Sequence, residues 1–132
     1  MILVDTNILL DLVTDDPRWA EWSVGRLRDC AGIDALAINP IIYSELSLAF
    51  DRIEELDSVV DDLALEFREL PRPALFLAAR AFLKYRPRGG ARRNVLADFF
   101  IGAHAVVSEA RILTRDNQRY RSYFPTVELI EP

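Results

Sequence analysis

Cysteine and histidine are nearly absent from this sequence: Cys30 and His104 are the only ones. One cysteine makes no internal disulfide, which fits a reducing, cytoplasmic setting and gives Cys30 a structural role. One histidine gives little basis for a Cys–His pair, and His104 reads as a packed side chain. Apolar runs stay well short of the ~20 residues that a membrane span needs, so no membrane partner is expected. β-forming residues begin at Ile2 with no basic stretch before them, so no signal peptide is expected. The phosphate-cradling patterns G-x-x-x-x-G-K-[ST] and G-x-G-x-x-G do not occur, and neither repeats nor linkers interrupt the chain. What remains is 132 residues, 51% hydrophobic and 28% charged, which predicts a single globular domain over residues 1–132.

The net charge of −5 argues against a polyanionic partner only if it is evenly spread. It is not. Between Lys84 and Arg121 lie nine basic residues and three acids, a local balance of +6. The rest of the chain has seven basic and eighteen acidic residues, or −11. Such asymmetry suggests one face suited to a polyanion. Arg88, Arg92 and Arg93, around Gly89-Gly90, and Arg115 are its candidate phosphate contacts.

Apolar runs alternate with helical patterns. Ile2–Val4, Ala35–Ile38, Ile112–Thr114 and Val127–Ile130 read as strands, with a further short strand around residues 68–70. Helices are expected at residues 8–12, from Asp15-Asp16-Pro17 to about Asp29, and from the cap Asn39-Pro40 to about Phe50. Others are expected from Asp57 or Ser58 through Phe67, over Pro73–Tyr85, and from Asn94 to about Glu109. Strands and helices joined by short loops predict an α/β fold with a parallel sheet flanked by helices.

Four acids stand in apolar settings. Asp5 follows Ile2-Leu3-Val4, and Asp116 lies just beyond the strand at residues 112–114. Glu45 shares its helix face with Ile41, Ile42, Leu48 and Ala49, and Asp98 is followed directly by Phe99 and Phe100. In a parallel sheet Asp5 and Asp116 leave the same edge, with Glu45 and Asp98 early in nearby helices. Carboxylates crowded together repel one another unless a cation joins them. Without one, Asp98 is expected to carry uncompensated charge. Oxygen ligands without cysteine or histidine suit Mg²⁺ or Mn²⁺, not zinc. Beside a basic surface, that chemistry fits metal-assisted phosphodiester hydrolysis.

Val4-Asp5-Thr6-Asn7, Glu45 after Asn39-Pro40, Leu96-Ala97-Asp98 and Thr114-Arg115-Asp116 occur in the order of the PIN-domain nucleases. The chain resembles the VapC-type toxins of that family, and the closing run through Tyr123-Phe124-Pro125 and Val127–Ile130 adds to the likeness. The resemblance implies an endoribonuclease that uses Mg²⁺ or Mn²⁺, a PIN-like α/β/α fold and a homodimer. By position it makes Asp5 and Asp98 direct metal ligands, with Glu45 and Asp116 completing the catalytic set partly through water. Asn7 and Thr114 match supporting polar positions, beside Thr6. It also implies a small antitoxin, bound in a groove made by the early helices. A non-catalytic RNA-binding or scaffold module of the same shape is the alternative. An aspartyl-phosphate phosphotransferase is less consistent, because Asn7 stands where a second carboxylate is wanted.

Overall fold

The computed structural model describes residues 1–85 and 95–132. In chain order the elements are β1 (Ile2–Val4), α1 (Thr6–Val13), α2 (Ala20–Ala31), β2 (Leu36–Ile38), α3 (Pro40–Ser47) and α4 (Ile53–Asp62). They continue with β3 (Glu66–Phe67), α5 (Arg72–Tyr85), α6 (Val95–Val107), β4 (Arg111–Leu113), α7 (Gln118–Tyr123) and β5 (Leu129–Ile130). All five strands are parallel, in the order β3-β2-β1-β4-β5. The expected parallel α/β architecture is therefore what the chain forms.

The middle strand, β1, has no solvent exposure at Ile2, Leu3 or Val4. A strand covered on both faces has no polar side to show, which is why its sequence is a plain apolar run. After β1 the chain moves outward through β2 and β3. It then crosses back to build β4 and β5 on the other side. Between β1 and β4 the strand order reverses, and such a point opens a crevice at the carboxyl ends of the strands.

Several boundaries differ from expectation. Asp15 does not start α2; it ends α1, with φ of 49° and with Asp16 N donating to Asp11 O at 3.0 Å. Asp16 Oδ1 accepts from Arg18 N and Trp19 N, so a turn precedes the helix, which begins at Ala20. The helix expected from Asp57 or Ser58 to Phe67 is α4, which starts earlier and ends earlier. Glu54 and Glu55 in its first turn suit the positive end of the helix dipole. It stops at a left-handed Ala64 (φ 52°), closed by Leu65 N to Val60 O at 3.0 Å. Phe67 is thereby freed to pair in β3 opposite Ile38, so the strand expected at 68–70 lies at 66–67. Likewise α3 stops at Ser47 and not at Phe50, and α7 had no counterpart in the sequence reading.

Below the carboxyl edge, α6 packs against α5 and α7 through Phe99, which meets Tyr85, Tyr123 and Phe124 edge-on or tilted. Gly102, one turn further along α6, lets the Phe124 ring lie against the helix backbone; a β-carbon there would sit inside the ring's van der Waals envelope. Glycine in a helix interior is worse than alanine by ~1 kcal/mol. Overpacking a closed core costs ~1–3 kcal/mol, so packing decides the sign. Gly102→Ala should lower the melting temperature by a few degrees, read by circular dichroism. An unchanged or higher value would show that Phe124 yields freely.

Candidate active site

Val4 registers with Leu113, so the next residues outward, Asp5 and Thr114, meet at the reversal of strand order. Asp5 caps α1, its Oδ1 accepting from Thr6 N at 2.8 Å. Its Oδ2 receives Thr114 Oγ1 at 2.8 Å, the Tyr120 hydroxyl at 2.9 Å and Asn7 Nδ2 at 3.3 Å. These donors favour the carboxylate, yet the residue is only 4% exposed. Burial outweighs them, the charge of Asp98 adds to it, and the Asp5 pKa is pushed up to about 7.

The supporting atoms are fully used. Thr114 gives its one hydroxyl proton to Asp5 and accepts from Asn7 Nδ2 at 3.2 Å and Asp116 N at 3.1 Å. Asn7 Oδ1 accepts from Arg115 N at 3.0 Å, which sets the orientation of the amide. Tyr120 is buried, and burial followed by the charge of Asp5 holds its phenol well above the usual range. It stays neutral and donates to Asp5.

Glu45 arrives from α3. That helix begins where it does because Asn39 Oδ1 accepts from Ile41 N and Ile42 N, both at 3.0 Å, with Pro40 following. Glu45 Oε1 accepts from Thr6 Oγ1 at 2.6 Å, so Thr6 touches two acids, one through its backbone and one through its hydroxyl. The uniformly apolar face expected around Glu45 is corrected: α3 ends early and leaves Leu48 91% exposed. Burial nonetheless raises the Glu45 pKa, against the Thr6 hydrogen bond and with a contribution from Asp98.

Asp98, in the first turn of α6, is not uncompensated as expected. Its Oδ2 accepts from Arg119 Nε at 2.7 Å. Burial still raises its pKa; Arg119 opposes the shift, and Asp116 adds to it. Asp116 itself is exposed on the loop after β4. The four acids thus gather at one edge and feel one another. Among the described residues, however, no three Asp, Glu, His or Cys side chains stand close enough to form a metal cage.

Arg115 has a different setting from the phosphate contact expected of it. Its Nε and Nη2 bind both oxygens of Asp11, at 2.7 and 2.8 Å, and its guanidinium lies 5.0 Å from the Trp19 ring centroid. Asp11 also accepts from Ser23 Oγ at 2.6 Å, so the group ties α1, α2 and the loop after β4 together. Arg111 opens β4 at the opposite edge, facing Glu128, and Arg121 pairs with Glu131. Four arginines of the basic segment are therefore ion-paired within the chain. Arg88, Arg92 and Arg93 lie outside the described residues. His104 is packed: Asn39 Nδ2 donates to its Nδ1 at 3.1 Å, which leaves the ring proton on Nε2, and burial lowers its pKa. Three contributors were given no role in the sequence reading: Asp11, Tyr120 and Arg119. Asp11 has no apolar-face signature, and Tyr120 had only its spacing from Tyr123 and Phe124 to mark it.

A family model described as the PIN domain matches residues 2–124. The chain belongs to the PIN-domain family. No curated protein matches it by sequence. Among solved structures, VapBC2 from Rickettsia felis bound to a promoter DNA fragment is similar, with a TM-score of 0.75 and 21% identity over 100% of this chain and 99% of that one. A toxin–antitoxin complex from Klebsiella pneumoniae gives a TM-score of 0.67 and 20% identity, over 96% and 95% of the two chains. FitAcB from Neisseria gonorrhoeae gives 0.67 and 19%, over 98% and 96%. At these identities the likeness is one of fold. No helix among the described residues of this PIN domain is long and apolar enough to cross a membrane.

The raised Asp5 pKa has a consequence for stability in chelated buffer. The unfolded value is near 3.8 and the folded value about 7. Ionisation therefore opposes folding, and the stability present below pH ~4 is lost as pH rises towards 7. Asp5→Asn cannot ionise. Whatever its offset from the loss of an acceptor, its melting temperature relative to wild type should rise by several degrees between pH 4 and 8. A constant difference across that range would show that Asp5 is ionised at ordinary cost.

Proposed function

We propose that this PIN domain is a Mg²⁺- or Mn²⁺-dependent endoribonuclease and the toxin of a toxin–antitoxin pair. The observation that carries the reading is the gathering of Asp5, Glu45, Asp98 and Asp116 at the carboxyl edge, with Asp5 buried and its pKa lifted to about 7. PIN domains are typically nucleases and generally use divalent metals. The donor set here fits such an ion: it is oxygen throughout, and burial, with a smaller contribution from neighbouring acids, raises the pKa of Asp5, Glu45 and Asp98, a cost that a cation would relieve. Asp5 Oδ1, with a single hydrogen bond from Thr6 N, keeps acceptor capacity.

Asp5 and Asp98 would hold the ion directly, and Glu45 and Asp116 would complete the set partly through water. When bound, the ion polarises a phosphoryl oxygen and lowers the pKa of the attacking water. The chain's own residues prepare that site. Thr114, Tyr120 and Asn7 hold one oxygen of Asp5 in place, and Thr6 spaces Asp5 from Glu45. Phosphate contacts fall to Arg88, Arg92 and Arg93.

Two surfaces support the partners. Leu12, Val24, Leu27, Ala31, Leu36 and Leu63 line an apolar groove of about 260 Å³ across α1, α2 and α4, flanked by Arg28 and Asp62. It suits an apolar segment of an antitoxin. On α5, Leu75, Phe76, Phe82 and Leu83 are exposed along one helical stripe, which supports a homodimer. A non-catalytic scaffold has one observation in its favour, the engagement of Asp98 by Arg119 in place of a closed acid cage.

Cleavage of single-stranded RNA should need Mg²⁺ or Mn²⁺, stop in excess EDTA, and fall below detection for Asp5→Asn and Asp98→Asn. Undiminished cleavage by pure protein in EDTA would end the nuclease reading. Intact RNA at every metal concentration, bound by folded wild type, would favour the scaffold.

A further inference from the structure

Two arginines contact buried or half-buried acids near the carboxyl edge, and they do so differently. Arg115 grips Asp11 with two nitrogens, and that carboxylate is 3% exposed and shared with Ser23. Both of its oxygens are engaged, as in a permanent strut. Arg119 touches Asp98 through Nε alone, at 2.7 Å, and no hydrogen bond from its terminal nitrogens occurs among the described residues. The two arginines are about equally exposed, at 24% and 25%, but Asp98 is 22% exposed where Asp11 is 3%, so solvent reaches the Arg119 pair from the acid's side.

The base of Arg119 is nevertheless fixed. Its neighbour Tyr120 is 1% exposed and bonded to Asp5, so the backbone of α7 is pinned at that point. The side chain of Arg119 extends from that fixed backbone and is 24% exposed. Adjacent residues of one six-residue helix thus reach two of the acids, one through a buried neutral hydroxyl and one through a solvent-facing cation.

We infer that Arg119 is a displaceable internal cation that competes with the divalent ion for Asp98. A guanidinium and a metal ion both seek the charge of the same carboxylate, and a single hydrogen bond at a solvated margin is the easier one to exchange. A doubly charged ion held by Asp98 would compete with Arg119 for that carboxylate and would free its guanidinium. Arg119 is then a positioning residue that sets metal affinity. This inference rests on the metal-dependent reading of the site.

Isothermal titration of Mn²⁺ into the full chain tests it, with wild type, Arg119→Gln and Arg121→Gln compared. Arg121 lies on the same helix, carries the same charge and pairs with Glu131 instead, so it controls for net charge. Arg119→Gln should bind Mn²⁺ about tenfold more tightly, the worth of one exposed charge-assisted hydrogen bond. Arg121→Gln should stay within about twofold of wild type, as expected of a pair at the surface. Equal or weaker binding by Arg119→Gln, with wild type binding normally, overturns the competition and leaves the nuclease reading intact. No binding by either protein removes both. Should Arg119→Gln fold poorly, the ¹⁵Nε resonance of Arg119 in wild type answers the same question. It should shift as Mg²⁺ saturates the site, and a resonance that stays still overturns the inference.

Discussion

The carboxylate of Asp5, buried at the point where the strand order reverses, is the constraint around which the carboxyl edge is built. An acid in that place opposes folding unless its surroundings offset desolvation. Three side-chain donors on one oxygen and the first amide of α1 on the other do part of that. They do not do all of it, because a second acid, Asp98, is near enough to push back. The residual cost identifies the site. A chain selected for stability alone would place an asparagine or an apolar residue there.

Around Asp5 the remaining structure falls into a rigid part and a loose part. The rigid part is the sheet, Thr114, Tyr120 and the Asp11–Arg115–Ser23 group, all closed to solvent or saturated with hydrogen bonds. It fixes where Asp5 points and how the loop after β4 leaves the sheet. The loose part consists of Glu45, Asp98 and Asp116 at the margin, where Glu45 accepts one hydrogen bond from Thr6 and Asp98 one from Arg119. Such a division suits the proposed role, in which the edge would admit an ion and then a polymer.

Much of this was legible in the sequence, for definite reasons. Strand β1 is apolar on both faces, Asn39-Pro40 carries its cap in its residue types, and α5 and α6 have long unbroken helical patterns. The four acids stood out because their neighbours are apolar. Two boundaries were not legible because a residue other than glycine takes the left-handed conformation: Asp15, which closes α1 and does not start α2, and Ala64, which closes α4, at φ of 49° and 52°. Glu109 is left-handed too, at 51°, yet α6 ends close to where its sequence predicts. Missing the end of α4 cost the position of β3. The six residues of α7 are too few for periodicity to show, so Tyr120 and the partner of Asp98 stayed hidden. A charge count along the chain could not separate Arg111, at one edge of the sheet, from Arg115 and Arg119 at the other.

The central claim is that Asp5 belongs to an acid cluster which takes up a divalent ion by giving up a proton. Calorimetric titration of Mn²⁺ at pH 7, in two buffers of different ionisation enthalpy, measures that proton directly. With its pKa pushed up to about 7, Asp5 holds a proton in part of the molecules at that pH, so binding should release protons, and fewer as pH rises to 9. Binding without proton release at pH 7 would mean that Asp5 is either ionised beforehand or not a ligand, and would contradict the account.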